Sequence, residues 1–456
     1  MLTLSQIAYA VDGVLSGEDA KFSSVSIDSR TLQPGALFVA IDGERFCGTD
    51  FVRDAKQAGA VAVMASSATD HNTPSNMPSI VVKDTQLALW KLAELWRSRV
   101  SLPVIGVTGS NGKTTVKKMI ASILGKMGRT HASPGNFNNH LGVPLTLLGI
   151  RPEHEFAVVE MGMSHPGEIG QLARLVRPSV ALITNAAHAH LEGVGSLSEV
   201  VRAKAEIFLG LQSGGTAVIN ADDRFAAYWA ARTRSFQTIT FGLDSKARVT
   251  GSASTVNGQQ VVEVDLPDES FEVPLNLLGR HNALNALAAS SVGWACGGDA
   301  AQIRAGLVEV HAEPGRLQIR EAAHGATLID DSYNANPDSL RAAIRTLSGR
   351  QGLKVLIIGN MAELGSRAAE LHSEVGREAR HAGIDVLIAL GEMAGLAADV
   401  FGDNAKKFDS FESLISDTHR MLRPGVTVLV KGSRSAQMEQ VANALVGSSR
   451  SEAIAC

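Results

Sequence analysis

VIGVTGSNGKTTVKKMI, residues 104–120, decides the architecture of the chain. A nearly continuous apolar run, VIGVT, leads into a turn carrying Gly109 and Gly112, and the turn opens a helical stretch. Runs of that kind are usually strands buried on both faces of a parallel sheet. Glycines at such a turn let backbone N–H groups face an anion, and the helix N-terminus adds a partial positive charge. Lys113 would supply a point charge to phosphate oxygens, and Thr114 or Thr115 a hydroxyl to Mg²⁺. The strict GxxxxGK[ST] pattern is not met, because its first glycine would fall at Val107 and Gly106 is one residue early. The bland alternative is a strand–turn–helix with an incidental lysine. The order of strand, glycines, lysine and paired threonines favours a nucleotide loop: Gly109, Ser110, Asn111, Gly112, Lys113, Thr114 and Thr115.

Working outward, FAVVE, SVALITN and GTAVIN repeat the same buried-strand character between helical segments. Residues 247–273 differ, with VVEVDL and FEVPL separated by turn residues, as in antiparallel strands at a domain edge. Leu277–Trp294 then reads as a helix. On the N-terminal side, apolar runs at Ala36–Ile41, Val61–Ala65 and Ser79–Val82 alternate with helical stretches, the last being Thr85–Ser98. Near Glu313-Pro314-Gly315 a third regime begins, in which ATLIDD, LKVLIIGN, IDVLIALG and VTVLVKG are each followed by a helical segment. The expected fold class is α/β with three domains. Residues 1–98 would be a small α/β domain, 99–312 a central P-loop ATPase-like parallel-sheet domain, and 313–456 a Rossmann-like domain.

The length of 456 residues agrees with that count at roughly 150 residues per domain. The formal net charge is −4, which disfavours generic nucleic-acid binding, so any anion must be held locally. No apolar run approaches a membrane span. Cys47, Cys296 and Cys456 are widely spaced with no CxxC, which argues against a disulfide framework or a structural zinc. The N-terminus lacks a positive n-region, so a cytoplasmic protein is expected.

Candidate chemistry clusters after the central strands. Glu160 closes FAVVE, where strand ends of an open α/β sheet face the ligand crevice. SVALITN leads into AAHAHLEGVG, with His188 and His190. Carboxylate and imidazole beside a phosphate loop are plausible cation ligands; loop surface is the alternative for either histidine. Lys204 lies between Val200, Val201 and Ile207, Phe208, and by spacing alone reads as a snorkelling surface residue. Asn136, Asn138 and Asn139 crowd one loop, which is either a long turn or a set of amides for a polar ligand.

Taken together, these residues resemble the Mur ligase family of ATP-dependent amide-forming enzymes. The resemblance spans nearly the whole chain. It rests on SIDSRTLQPGALFVAIDGERF (26–46), GVTGSNGKTT (106–115), GNFNNHLGVPLTLL (135–148), EMGMSHPGEIGQL (160–172) and TNAAHAHLEGVGS (184–196), followed by LGRHNALNALAA (278–289), EPGRLQ (313–318), IDDSYNANPDSLRAAI (329–344), GNMAELG (359–365) and VLVKGSRS (428–435). The resemblance implies that the first domain holds the UDP end of a substrate, the second ATP, and the third brings an amine. Lys113 and Thr114 fall where the family binds ATP phosphates and Mg²⁺, and Glu160 and His190 on its metal ligands. Lys204 falls near a family lysine that is N-carbamylated, which would suit a second Mg²⁺. Asn282 matches an adenine contact, and Arg316 and Asp331 match contacts from the last domain to ATP. Ser29 and Arg30, with Asn138 and Asn139, fall on substrate-binding positions. Cys47 and Thr49 depart from the Asp and His that relatives tend to carry there.

The absence of a DNPR-type string, together with GNFNN and HPGEIG, favours the step joining D-alanyl-D-alanine to UDP-N-acetylmuramoyl-tripeptide. The expected activity is amide formation through an acyl phosphate, by a monomer that uses ATP and two Mg²⁺ ions in peptidoglycan synthesis. The rivals are another ligase of the same superfamily, either diamino-acid-adding or folylpolyglutamate synthase-like, and a P-loop switch that hydrolyses ATP alone.

Overall fold

A computed structural model of the chain describes residues 2–43, 46–66, 77–188, 191–256 and 259–447. The strand that opens the phosphate loop, Val104–Thr108, sits inside a six-stranded, all-parallel sheet. Its neighbours are Phe156–Glu160 on one side and Val180–Ile183 on the other. Thr216–Asn220 and Gln237–Phe241 extend one flank and Thr130–Ala132 the other. The apolar runs named above form the inner strands because all their residues are buried, except the intermediate Phe156. The two outermost strands are short or mixed in polarity and gave no such signal.

The helix after the loop, Lys113–Leu124, lays Val116, Met119, Ile120, Ile123 and Leu124 against this sheet. Each buried side chain of that size contributes roughly 1.5–3 kcal/mol of transfer free energy. The helix Arg280–Ala295 packs beside it, and the three-stranded antiparallel sheet Thr250–Val256, Gln259–Asp265 and Ser270–Leu275 closes that face.

The N-terminal sheet has five strands, in the order Val14–Ser16, Ser79–Val82, Ala62–Ser66, Ala36–Val39, Ser24–Ser26. Only the first pair is antiparallel. The expected strand at 36–41 stops at Val39. The expected helix Thr85–Ser98 forms with those bounds, because Asp84 accepts from the backbone N–H groups of Gln86 and Leu87 and so caps it. The C-terminal sheet places Thr327–Asp331, Val426–Lys431, Leu353–Gly359, Val386–Leu390 and Ala405–Phe408 in parallel order, with Gln318–Glu321 antiparallel at one edge. Its helix Pro337–Ser348 is started by Asn336, whose side chain accepts from the Ser339 N–H, with Pro337 in the first turn.

Both parallel sheets turn the C-terminal ends of their strands toward one cleft of about 750 Å³. The N-terminal sheet is tied to the central one by a buried arginine. Arg97, on the helix Thr85–Ser98, donates to the carbonyls of Val176 (2.6 Å), Val100 (2.8 Å) and Arg177 (2.8 Å). Arg177 adopts φ 44°, so its carbonyl leaves the helix end and needs an outside donor. Burial pushes the Arg97 guanidinium down to about 10, with Arg177 adding to the shift, so it stays charged at neutral pH. Cys47 and Cys296 are free thiols, and Cys456 lies outside the described residues.

Replacing Arg97 by Leu removes this tie and takes a side-chain donor from three carbonyls, of which Arg177 keeps another in the Gln212 amide at 2.7 Å. A loss of about 2–4 kcal/mol is expected. In urea titrations the Leu variant should unfold at lower midpoint than wild type, and an unchanged midpoint would show that the tie adds nothing.

Candidate active site

The phosphate loop is built from the strand edge outward. Asn185 accepts from the Asn111 N–H at 2.9 Å and donates its amide to the Asn111 carbonyl at 3.0 Å. Thr184 Oγ1 donates to the same carbonyl at 2.7 Å. Ser110 is spent on bracing as well, since its hydroxyl exchanges hydrogen bonds with the backbone of Ala187. A Cβ on Gly109 would lie 1.8 Å from Thr184 Oγ1, so only glycine fits there. Gly112 has φ 81°, which glycine adopts without steric cost, and it is the residue that starts the helix.

Lys113 Nζ folds back over the loop and donates to the carbonyls of Gly109 (2.8 Å) and Ser110 (3.2 Å). Burial lowers its pKa, the Glu160 carboxylate pulls it back up, and Arg316 lowers it further. Glu160 is buried at the end of its strand. Asn138 donates to its Oε1 at 2.8 Å, and Lys117 Nζ lies 3.2 Å from its Oε2. Burial alone would raise the Glu160 pKa, but Lys113, Lys117 and Asn138 together bring it below the usual value. Glu160 is therefore an ionised carboxylate, and its Oε2 has no hydrogen bond.

Lys117 is a buried residue that sequence reading missed. It follows Lys113 by four residues and so shares its helix face, but its place beside an apolar stripe hid it. It also donates to the Gly135 carbonyl at 2.5 Å, which pins the asparagine loop over the site. Within that loop Asn136 and Asn138 line the cleft. Asn139 accepts from the N–H groups of Leu141 and Gly142 and starts the helix Gly142–Leu148.

Lys204 corrects the surface expectation. It sits on the helix Leu197–Ala205 and is fully buried, with Nζ lacking any hydrogen-bond partner. Burial, with Lys113 adding repulsion and Glu206 partly opposing, drives its pKa well below the ordinary value. Such a placement biases the amine toward its neutral, nucleophilic form. Snorkelling fails because the neighbouring Val200, Val201 and Ala203 also point into the core. His190 lies outside the described residues. His188 engages the C-terminal domain: its N–H and Nδ1 lie 2.8 and 3.0 Å from Asp338 Oδ2.

That domain supplies the opposite wall. Arg316 donates to Thr114 Oγ1 at 3.2 Å and stacks over Tyr333, 4.3 Å from the ring centroid. Asp331 accepts from Lys431 at 2.6 Å and from the Leu317 N–H at 3.1 Å. Lys431, also missed, ends the strand Val426–Lys431 and donates on to the Asn334 carbonyl. Asn336 pairs with Asn111 of the phosphate loop, amide to amide, at 2.8 and 3.4 Å. Asn282 lines the cleft, donating to the Leu278 carbonyl just before its helix and accepting from the Asn285 amide one turn on. Beside it, burial lowers His281 to about 4, with Lys431 and Arg345 adding repulsion, so that imidazole is neutral near pH 7.

The structure thus brings together the phosphate loop, Glu160, Asn138, Asn282, Arg316 and Asp331. It leaves Ser29 and Arg30 elsewhere, on the loop after the edge strand Ser24–Ser26, with Arg30 exposed and paired to Asp28 at 2.7 Å. Of the two departing residues, Cys47 has its Sγ 3.3 Å from Asp42 Oδ1 and 3.1 Å from Thr49 Oγ1, so the pair contact each other and Cys47 alone reaches the carboxylate.

An anion cradle, a buried ionised carboxylate and a second α/β wall form a site for moving a phosphoryl group onto an acid. Three family models match the chain: Mur ligase family, catalytic domain over residues 21–97, Mur ligase middle domain over 107–293, and Mur ligase, glutamate ligase domain over 315–434. The chain is 41% identical to the UDP-N-acetylmuramoyl-tripeptide–D-alanyl-D-alanine ligase of Escherichia coli K12, over 97% of this chain and 98% of that one. It is 34% identical to the enzyme of the same name from Bacillus subtilis 168, over 98% of each. A crystal structure of MurF from Acinetobacter baumannii superposes with a TM-score of 0.88 at 32% identity, covering 97% of this chain and 98% of that one. MurF ligase from Thermotoga maritima in complex with ADP gives 0.79 at 28% identity, covering 92% and 96%. From its first sheet to its last, this chain belongs to the Mur ligase family.

Proposed function

We infer that the protein is an ATP-dependent ligase joining D-alanyl-D-alanine to UDP-N-acetylmuramoyl-tripeptide, which yields the pentapeptide precursor of peptidoglycan. The observation that carries this reading is an ionised, buried Glu160 facing two lysines beside a braced phosphate loop. The near full-length identity to ligases of that name supports the choice of substrates. We assign 1–98 to the UDP end of the substrate, 99–312 to ATP and 313–456 to delivery of the amine. No helix among the described residues is long and apolar enough to cross a membrane.

A carboxylate has no leaving group, so amide formation needs activation. The terminal carboxylate of the tripeptide attacks the γ-phosphorus of ATP. The P–O bond to ADP breaks, and an acyl phosphate forms. The amine of D-alanyl-D-alanine then attacks the acyl carbon, and inorganic phosphate leaves from the tetrahedral intermediate. Two anions must meet in the first step. Lys113 and the loop N–H groups offset that repulsion, and Arg316 adds charge from the opposite wall. Closure of the C-terminal domain excludes water from the labile acyl phosphate. Asn282 positions the adenine, and Asp331, held by Lys431, fixes the Arg316 segment through the Leu317 N–H.

The residues present also fit divalent cations. Glu160 Oε2 has no hydrogen bond, only the Lys117 ammonium 3.2 Å away, and Lys204 Nζ is a buried orphan amine. Thr114, Glu160 and His190, with Lys204 as a carbamate, would hold Mg²⁺, which would neutralise phosphate charge. The low pKa of Lys204 favours the neutral amine that carbon dioxide requires.

Three outcomes are expected. ADP should accumulate steadily only when UDP-N-acetylmuramoyl-tripeptide and D-alanyl-D-alanine are both present; equal ADP release with ATP alone would identify a switch. Lys113→Ala should reduce acyl-phosphate formation by at least about 10³-fold while leaving the circular-dichroism spectrum unchanged. Full turnover in that variant would reject the loop assignment. Lys204→Ala should be nearly inactive, and wild type equilibrated with ¹³C-bicarbonate should show a bound carbamate carbon by NMR that the variant lacks. An active wild type without that signal would exclude the carbamate.

A further inference from the structure

The cleft wall contributed by the C-terminal domain includes a segment without regular structure, Asn360–Leu364, which follows the strand Leu353–Gly359. Ala362 and Glu363 of this segment face the cleft, together with Ser433 and Arg434. It is held at separate points. Asn360 accepts from the Ser433 N–H through its carbonyl at 3.0 Å and from the Ala394 N–H through its side chain at 2.8 Å. The Glu363 carbonyl accepts from the Glu192 N–H at 3.2 Å, which links the segment to the central domain. Glu363 itself has φ 61°, a conformation non-glycine residues rarely hold without support.

Between these points stands His372, 1% exposed, on the helix Ala368–His381. Its Nε2 accepts from the Met361 N–H at 2.9 Å, and its Nδ1 lies 2.7 Å from the Ala368 carbonyl. That pattern requires the neutral tautomer with the proton on Nδ1. Burial lowers the imidazole pKa, opposed by the Ala368 carbonyl, which keeps Nε2 an acceptor at neutral pH. Met361 and Leu364 are buried on either side of the cleft-facing pair, so a shift at Met361 moves Ala362 and Glu363 with it.

We propose that His372 is a positioning residue for the amine half of the reaction: by accepting the Met361 N–H it sets the Asn360–Leu364 segment against which the incoming amine substrate is placed. The inference rests on the ligase reading above. The nucleotide phosphates are held by residues 109–115, on the other sheet, so loss of His372 should separate the two half-reactions. Without the imidazole, a buried N–H loses its partner and the segment relaxes, and misplacement of about 1 Å costs up to about 100-fold in rate.

The test uses the full chain with His372→Leu and His372→Gln. Glutamine can place a side-chain oxygen near the position of Nε2, whereas leucine cannot. Acyl phosphate formed from UDP-N-acetylmuramoyl-tripeptide and ATP is trapped with hydroxylamine, and complete turnover is followed separately against D-alanyl-D-alanine. The Leu variant should raise KM for D-alanyl-D-alanine at least about tenfold and leave KM for ATP and the trapped yield within about twofold, and Gln should recover most of the loss. Hydrogen exchange at the Met361 amide should be at least about 100-fold faster in the Leu variant. An unchanged KM for the amine, equal losses in both half-reactions, or a Gln variant no better than Leu would each overturn the proposal. If the Leu variant does not fold, wild-type exchange decides: an unprotected Met361 amide overturns the proposal and a protected one supports it. Wild type that makes no amide product would fail the ligase reading, and the exchange result would then judge the anchoring alone.

Discussion

A charged carboxylate at the end of a buried strand is the constraint around which the site is organised. Glu160 is almost fully removed from water, which by itself favours the neutral acid. Two lysines one helical turn apart reverse that preference. The price is that Lys117 must in turn be buried and Lys113 partly so, and the loop carbonyls of Gly109, Ser110 and Gly135 accept their N–H hydrogen bonds. Removing Glu160 would leave two like charges uncompensated in a low-dielectric pocket, and removing either lysine would leave Glu160 with a single cation to hold it ionised. The glycines, the bracing asparagines and the strand order can all be understood as means of keeping that balance in place.

The second constraint is topological. Open parallel sheets bind ligands beyond the C-terminal ends of their strands. Here two such sheets from successive parts of the chain face each other, so one cleft receives groups from both. Thr184 and Asn185 brace the loop from one side, while Asp331 and Lys431 arrange Arg316 from the other. Bringing two anions together with a water-sensitive intermediate suits this arrangement, because each wall carries its own cations.

Much of this was legible in the sequence. Continuous apolar runs gave the inner strands, since strands buried on both faces have no polar positions to hide them. The glycine-rich turn gave the phosphate loop even though its first glycine is displaced, because what matters is where the N–H groups point. The outer strands Thr130–Ala132 and Gln237–Phe241 were not legible, being short or half polar. Lys204 misled for a physical reason: a lysine among aliphatic residues usually escapes to solvent, and only the packed helix shows that no exit exists. Lys117 and Lys431 were missed because each acts through a carboxylate far along the chain, and His372 because its partners, though near in sequence, are backbone groups that spacing does not reveal. His188 stood between ligand and loop surface, and Asp338 gives it a third role, a contact between domains.

The paired amides of Asn111 and Asn336 reach across this boundary at the phosphate loop itself. Asn336 also begins the helix Pro337–Ser348, so the tilt of a whole helix is registered by a residue inside the anion cradle. The geometry offered to a triphosphate is in that sense a gauge of how far apart the two halves stand, and chemical competence and domain separation become a single mechanical variable.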